Sequence, residues 1–316
     1  MRVGINGSDK LVSPDLGAIA TDINGAEADG FAAYWMAQTT LLDAISGLAI
    51  AAAGSSSIQV GTAVVPTWTR HPQAAAAAAL TAHAATGGRF VLGIGLLHKP
   101  VVEDYLHMTW TRPIRHMLDY LDVLQPLLSE GKADHIGEVW SYTGSSARPT
   151  TDPPKVMLAA LGEQMLQIAG RRTDGTILWC VGPKTIERQI APTINGAAAD
   201  AGRPDPSIVC SLPVWVTDNP EPARQFLGGI FAMYATLPSY RAMLDIEGVA
   251  GIDGIALVGS EQEVGDGLAA VAESGATDFA AVVMGGDPDE LARTRAALKG
   301  FNERARGAGI RRAGGR

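Results

Sequence analysis

Residues 155–181 read KVMLAALGEQMLQIAGRRTDGTILWCV, and this stretch decides the fold. The opening KVMLAAL is apolar on both faces once Lys155 is passed, as buried strands of parallel sheets are. GEQMLQIAGRR follows with the apolar spacing of an amphipathic helix, and GTILWCV predicts a second buried strand. A strand, a helix and a strand in this order form one βαβ unit with parallel strands.

The same alternation runs along the whole chain without a break in composition. Eight segments predict strands: MRVGIN (1–6), FAAYWM (31–36), SIQVGTAVV (57–65), RFVLGIG (89–95), KVMLAAL (155–161), GTILWCV (175–181), SIVCSLPVWV (207–216) and TDFAAVVMGG (277–286). Longer Ala- and Leu-rich segments separate them. We therefore expect an α/β protein with a closed (β/α)8 TIM barrel and insertions, and a doubly wound open sheet is the alternative.

The barrel is expected to form one domain over residues 1–304, with two excursions. The first, near 96–154, contains a predicted helix at 112–131 and a segment, ADHIGEVWSY, with the pattern of a small hairpin. The second, near 219–252, is a long helical segment. Residues 305–316 are rich in Gly and Arg, which is typical of a solvated, disordered tail.

Composition limits the classes of partner and compartment. The 316 residues carry a net charge of −8, so nucleic acids and anionic membranes are poor candidates. Cys180 and Cys210 follow apolar runs and lack a C-x-x-C spacing, which predicts reduced, buried thiols. Neither a secretory leader nor a run of about 18 apolar residues is visible, so we expect a cytoplasmic protein.

Functional groups of such sheets gather at the carboxyl ends of the strands. These ends are poor in acids and bases, and H-E-x-x-H, G-x-S-x-G and paired carboxylates are missing from the sequence. No metal site is expected either, since the spacing of His98, His107 and His116 does not place them together on one helical face. Apolar and backbone groups suit a cofactor that brings its own chemistry.

One strand end has the features of a phosphate site. Ala160, Leu161 and Gly162 join a strand directly to a helix, and free amides at a helix start favour an anion. Gly162 lets the backbone approach that anion closely, although it could equally relieve a tight turn. The GIG at 93–95 matches a dinucleotide fingerprint only in part, because no helix and no third glycine follow directly.

Six stretches together resemble the luciferase-like monooxygenase superfamily, in its coenzyme F420-dependent oxidoreductase branch. They are AEADGFAAYWMAQ (26–38), VGTAVVPTWTRHP (60–72), GGRFVLGIG (87–95), RPIRHMLDYLDVLQPLL (112–128), MLAALGEQMLQIAGRRTDGTILW (157–179) and TLPSYRAMLDIEGVAG (236–251). The resemblance covers nearly the full length. It implies a (β/α)8 barrel and hydride transfer to or from a deazaflavin.

The resemblance also implies which residues hold the cofactor. Ala63 and Val64 match a bulge with a non-proline cis peptide behind the deazaflavin ring, Ala37 and Gln38 match contacts to the ring edge, and the helix start matches the phosphate amides. The expected cofactor-binding residues are Ala37, Gln38, Ala63, Val64, Arg70, His71, Gly95, Ala160, Leu161 and Gly162. Arg70 and His71 are expected near the anionic tail, or only as the start of a helix.

The substrate side departs from the family pattern. Thr39 stands where relatives often have His, and Leu96 with Leu97 replaces a more polar step. His98 is the candidate catalytic proton donor or acceptor, and a solvated loop histidine is the alternative. The expected substrate-facing residues are Asn6, Thr39, Leu97, Trp179 and Tyr240. The tryptophans Trp35, Trp68 and Trp179 either wall a planar ring or belong to the core.

The sequence therefore predicts an F420-dependent oxidoreductase that moves a hydride between the deazaflavin and a small organic substrate. With reduced cofactor it would reduce an activated C=C or C=N bond. An FMN-dependent monooxygenase of the same superfamily is one alternative, and a cofactor-binding protein without turnover is another. The resemblance implies a homodimer, and the predicted second and third helices have apolar faces for the contact.

Overall fold

A computed structural model describes the backbone of residues 1–313 and the side chains of residues 1–304. Eight parallel strands close a barrel: β1 Arg2–Asn6, β2 Ala33–Met36, β3 Gln59–Thr62, β4 Phe90–Gly95, β5 Lys155–Leu158, β6 Gly175–Trp179, β7 Ser207–Val216 and β8 Asp278–Val283. Each strand pairs with the next, and β8 closes the ring on β1 with Asp278 opposite Arg2. The predicted (β/α)8 barrel is confirmed.

Helices form the outer layer around the strands. They are α1 Leu16–Ala28, α2 Ala44–Ala51, α3 Pro72–Ala85, α4 Pro113–Glu130, α5 Glu163–Arg172, α6 Ala191–Asp200, α7 Pro220–Ile230, α8 Ala232–Thr236, α9 Pro238–Glu247, α10 Glu261–Glu273 and α11 Pro288–Ala313. Local sequence sets several of their starts. Asp15 accepts from two amides at the start of α1, and Ser260 with Glu263 forms a capping box at α10.

The barrel interior is filled by a small apolar cluster. Its buried members are Ala33, Trp35, Val91, Met157, Ile177, Val209 and Ala280. Gly61 makes room for the Trp35 ring, since a Cβ at Gly61 would lie 2.5 Å from a ring carbon. Trp35 is 3% exposed, so the structure supports the core alternative for this tryptophan.

Two long segments depart from the alternation of strand and helix, one between β4 and β5 and one between β7 and β8. The first contains α4 and an antiparallel hairpin of Lys132–Ile136 and Ser141–Ser145, close to the predicted hairpin. The second contains α7, α8 and α9 and then a short strand, Leu257–Gly259, that pairs with the end of β7. This strand lies beyond the helical segment predicted near 219–252 and was not predicted; it has three residues and gains its order from pairing.

Other expectations have different outcomes. Cys180 and Cys210 are free and buried, as predicted. Among the helices that the structure describes, none has the length and apolar character needed to cross a membrane. The tail prediction concerns residues 305–316, whose side chains lie outside the described part of the chain, and it remains a prediction.

Candidate active site

The third strand is interrupted at the position where the resemblance implied a bulge. The predicted continuous strand over 57–65 was wrong: β3 ends at Thr62, and the chain resumes pairing only at Val65–Pro66. Between them, the Ala63–Val64 peptide bond is cis, which confirms that prediction. The Ala63 amide donates to the Met36 carbonyl at 2.8 Å, and the Val64 carbonyl accepts from the Gln38 amide at 3.1 Å. The end of β2 therefore holds the bulge in place.

Two glycines of β4 make room for this bulge. A Cβ at Gly95 would lie 2.7 Å from Val64 Cγ2 and 3.2 Å from Ala159 Cβ. A Cβ at Gly93 would lie 1.9 Å from the Thr62 carbonyl oxygen. Such distances exclude any side chain, so the G-I-G stretch serves the close approach of β3 and β4.

The start of α5 follows directly after β5 at the same end of the barrel. Gly162 precedes the helix in an extended conformation, and no side chain of the described residues caps that helix start. A Cβ at Gly162 would meet nothing within 4 Å, so the space around these amides is open. Glu163 accepts instead from the Gln167 side chain one turn further on. The arrangement is that of a helix N-terminus able to receive an anion.

The side-chain amide of Gln38 forms hydrogen bonds with the backbone of its own loop. Its side-chain amide donates to the carbonyls of Thr40 and Leu42 at 2.7 and 2.9 Å, and its oxygen accepts from the Ala44 amide at 2.8 Å. These bonds shape the loop before α2. The neighbouring Ala37 amide donates to Ser8 Oγ at 3.0 Å. Contacts of Ala37 and Gln38 with a ring edge remain predictions.

Arg70 and His71 occupy the turn from the bulge to α3. Arg70 forms an ion pair with Asp43, which caps α2. His71 caps α3, because its Nδ1 accepts from the Gln73 amide at 3.1 Å. The helix-start alternative therefore describes His71 in this structure, and a contact of either residue with a cofactor tail remains a prediction.

Aromatic side chains from three separate segments meet at the barrel mouth. We call His98, Trp179, Phe231, Tyr234 and Tyr240 the mouth cluster. The His98 ring centroid lies 6.0 Å from Tyr234 and 5.8 Å from Tyr240. The two tyrosine rings lie 4.9 Å apart, and Trp179 lies 5.4 Å from Phe231. Three predicted site residues are thus brought together, and Phe231 was not foreseen.

The mouth cluster is polar but uncharged at neutral pH. Burial lowers the pKa of His98 below its ordinary value, so its imidazole is neutral and able to accept or donate a proton. Burial raises the pKa of Tyr234 and of Tyr240, so both phenols keep their protons. The cluster therefore offers hydrogen bonds without a buried charge.

The remaining substrate-side candidates lie in different settings. Asn6 is 4% exposed, donates to Ser211 Oγ at 3.0 Å and accepts from Ser8. Thr39 is exposed on the loop after β2, and Leu97 follows β4 with a left-handed φ of 67°. A role of these three residues in substrate binding remains a prediction.

A second group of mostly aromatic residues includes the two residues that follow Val65–Pro66. We call Thr67, Trp68, His116 and Trp140 the hairpin cluster, since Trp140 comes from the hairpin. His116 is fully buried, and its Nε2 lies 2.9 Å from Thr67 Oγ1 and accepts from Trp140 Nε1 at 3.3 Å. Burial lowers the pKa of His116 to about 4, so the ring is neutral. Sequence reasoning missed this cluster.

Asp119, Asp122 and His135 form an acidic group close to the hairpin. Their potential ligand atoms lie within 4.8 Å of one another. Arg115 pairs with Asp119 at 2.6 Å, and Arg172 pairs with Asp122 at 2.8 Å. Since arginines already neutralise both carboxylates, the group is a structural ion-pair network in this arrangement.

Comparison with known proteins places the chain in a family. The profile described as luciferase-like monooxygenase matches residues 4–278. A Mycobacterium tuberculosis protein named "Putative coenzyme F420-dependent oxidoreductase" is 27% identical over 229 residues, which cover 67% of this chain and 66% of that protein.

Solved structures share the fold. The coenzyme F420-dependent tetrahydromethanopterin reductase of Methanopyrus kandleri superposes with a TM-score of 0.75 at 18% identity, over 94% of this chain and 96% of that one. The oxygenating constituent of 3,6-diketocamphane monooxygenase from Pseudomonas putida, in complex with FMN, gives 0.75 at 16% identity, over 95% and 96%. With its profile match over most of its length, the chain belongs to the luciferase-like monooxygenase family.

Proposed function

We propose that this protein is a coenzyme F420-dependent oxidoreductase that moves a hydride between the deazaflavin and a small organic substrate, acting as a reductase of an activated double bond. One observation carries the proposal. The apolar bulge at Ala63–Val64 and the uncapped helix start at Gly162 follow strand ends at the same end of the barrel, where Val64 and Ala159 lie on either side of Gly95. The name of the mycobacterial relative supports the choice of cofactor.

Chain geometry limits how far apart the two features lie. Val64 and Ala159 both lie against Gly95, and Ala159 is three residues before Gly162. Three residues span at most about 10 Å. Ala63 and Val64 would support the ring, and the amides after Gly162 would hold the phosphate. When bound, the deazaflavin supplies or accepts the hydride.

The chain's own residues would manage the proton and the solvent. His98 is neutral and half-buried, so it is able to take or give a proton at the substrate. The aromatic rings of the mouth cluster would keep water away from that transfer.

Titration of the purified protein with F420 and with FMN, each followed by fluorescence, tests the cofactor. We expect F420 to bind at least about ten times more tightly, a difference of about 1.4 kcal/mol. Equal or reversed affinities would contradict the proposal. Tighter FMN binding with substrate-dependent oxygen uptake would favour the alternative of an FMN-dependent monooxygenase. A monooxygenase component of the same fold has been solved in complex with FMN.

Gly162→Val tests the phosphate site. The valine side chain would project into the open space in front of the helix-start amides, so the fold is kept while the approach of a phosphate is blocked. Gly196→Val is the matched control, because a Cβ at Gly196 also meets nothing within 4 Å. We expect weaker F420 binding only in Gly162→Val. Unchanged affinity in a folded variant would show that Gly162 is a turn glycine.

Turnover and assembly need separate measurements. Oxidation of reduced F420 with a panel of compounds containing activated C=C or C=N bonds would separate a reductase from a cofactor-binding protein without turnover.

We also propose a homodimer through α2 and α3, and the exposed Ile50 on α2 is one apolar residue available for it. Light scattering would show a single monomeric species if this assembly is wrong.

A further inference from the structure

We propose that the mouth cluster binds the carbonyl oxygen of an uncharged, apolar, conjugated substrate, and that Tyr240 and His98 are the residues that hold this oxygen. The inference rests on the proposed function, because it names the substrate class of the same site.

The first argument is hydrogen-bonding capacity that the chain leaves unused. Tyr240 is only 8% exposed, yet within the described side chains its hydroxyl has no hydrogen-bond partner. The imidazole of His98 has none there either, and the two ring centroids lie 5.8 Å apart. Neither the Tyr240 hydroxyl nor a His98 nitrogen is among the buried atoms that lack a partner, so both groups are open to the barrel mouth. Two unpaired polar groups side by side among apolar rings are the kind of groups that orient a ligand.

The second argument is the kind of hydrogen bond on offer. Tyr234 and Tyr240 keep their protons at neutral pH, so each hydroxyl is a donor. Trp179 Nε1 is buried beside Tyr234, where its N–H faces the Tyr234 hydroxyl and leaves the Tyr234 proton for another acceptor. A neutral His98 adds one N–H. These donors fit a ligand atom that accepts hydrogen bonds and donates none, as a carbonyl oxygen does.

The third argument is the absence of charge from the cluster. All five of its members are aromatic, and none is a cation at neutral pH. Nearby cations are engaged elsewhere: Arg241 donates to Asp245 and to the Val249 and Ala250 carbonyls, and Lys99 pairs with Glu103. A carboxylate bound here would be buried without a counter-charge, which is strongly unfavourable.

The fourth argument concerns the body of the ligand and its reactivity. Trp179 and Phe231 give the cluster an apolar wall, and such walls favour planar, apolar groups. Hydrogen bonds to a carbonyl oxygen draw electron density from a conjugated C=C bond. The same contacts that bind the oxygen would thus activate the double bond for reduction.

Three probes of one shape test the inference. They are trans-4-phenyl-3-buten-2-one, which is a neutral enone, cinnamate, which carries a charge, and trans-β-methylstyrene, which lacks the oxygen. Calorimetry would measure their binding to the protein with and without F420, and infrared difference spectra would record the carbonyl stretch of the bound enone. We expect the enone to bind most tightly of the three. We expect the carbonyl stretch of the bound enone to lie at lower frequency than that of the free enone.

Tyr240→Phe removes only the hydroxyl, and Tyr105→Phe, at an exposed tyrosine, is the matched control. We expect Tyr240→Phe to weaken enone binding by roughly three- to tenfold, the value of one neutral hydrogen bond, and to reverse part of the frequency shift. Methylstyrene binding should not change. An enone affinity and stretch unaffected by Tyr240→Phe would overturn the inference, as would cinnamate binding as tightly as the enone.

The two proposals fail separately. If F420 binds and the enone does not, the substrate inference is wrong and the proposed cofactor stands. If the enone binds with the expected shift and F420 does not, the carbonyl site stands and the proposed cofactor is wrong.

Discussion

The mouth cluster and the hairpin cluster both place a neutral histidine among aromatic rings, but only in the hairpin cluster does the histidine form hydrogen bonds to other side chains. His116 is fully buried and uses Nε2 with both Thr67 and Trp140. His98 is half-buried and has no side-chain partner among residues 1–304. The hairpin cluster therefore joins parts of the fold, and the mouth cluster has hydrogen-bonding groups free for the substrate that we propose.

Access to solvent separates the clusters further. In the hairpin cluster, His116 Nδ1 and Trp68 Nε1 also lack partners among the described residues. Since Trp140 can only donate, Nε2 of His116 must accept, and the hydrogen-bond network assigns the proton to Nδ1. His116 Nδ1 and Trp68 Nε1 are themselves buried atoms, so a substrate would not reach them, whereas the Tyr240 hydroxyl and the His98 nitrogens are not among the buried atoms without a partner. Unused hydrogen bonds indicate a ligand site only where a ligand can enter.

The largest expected effect is on stability, at His116. His116→Ala removes a buried ring and leaves the Trp140 N–H without a partner, while the Thr67 hydroxyl keeps only its contact with the Gly95 carbonyl, so we expect a loss of about 2–4 kcal/mol in the free energy of unfolding. Urea denaturation measures it. His116→Gln is the matched variant, because its amide oxygen can accept from Trp140, and it should recover part of the loss. A His116→Ala protein as stable as wild type would remove the distinction between the clusters.

The second effect is on catalysis, at His98. If His98 moves a proton, His98→Ala should lower turnover about a hundredfold, or about 2.7 kcal/mol, with little change in F420 affinity or stability. Lys99→Ala, at the exposed neighbouring position, should behave as wild type. Steady-state rates with reduced F420 and a substrate found in the panel provide the measurement. A rate within threefold of wild type would return His98 to the solvated-loop interpretation.

The third effect is the pH dependence of stability from His116. Its pKa is about 4 in the folded protein and near 6.5 in an unfolded chain, so the unfolded state binds more protons between these values. Stability should fall as pH drops below 6.5, by up to about 1.4 kcal/mol per unit, or about 2 kcal/mol by pH 5. The difference between wild type and His116→Gln, in urea at pH 7.5 and 5, isolates this contribution from the carboxylates. Parallel pH profiles would show that His116 does not titrate as described.

The smallest effect is expected at Trp140. Trp140→Phe keeps an aromatic ring near His116 but removes the donor to Nε2, so we expect a loss of about 1 kcal/mol in stability and unchanged turnover. Thermal or urea unfolding measures the first and the steady-state assay the second. A fall in turnover comparable to that of His98→Ala would mean that the hairpin cluster also acts in the reaction.

The barrel could be predicted from the sequence because its signal is local. Each strand is a short apolar run and each helix has its own periodicity, so β5, α5 and β6 are readable without any long-range contact. The strand Leu257–Gly259 was not readable, since its three residues become a strand only by pairing with β7. The break in β3 came from the family resemblance, as nothing in the composition of GTAVVP requires it.

The site was only partly predictable because its residues meet through the fold. His98, Trp179 and Tyr240 were named one by one from strand ends and a helical segment. Their assembly with Tyr234 depends on how α8 and α9 return over the mouth, which no spacing in the sequence records. Gln38 shows the opposite case: its position was foreseen, but three hydrogen bonds to its own loop occupy the side chain.

Gly93 and Gly95 have no side chains, and the bulge occupies the space that side chains there would need. Engineering of the bulge therefore involves residues on two strands. Val64 occupies the volume that a side chain at Gly95 would need, so the two positions are expected to be epistatic. A library that varies Val64 alone would sample only residues that fit against the glycine at position 95 of β4. Pairing Val64→Ala with Gly95→Ala would shift the methyl group from one strand to the other. Redesign of cofactor preference in this barrel should therefore vary both strands together.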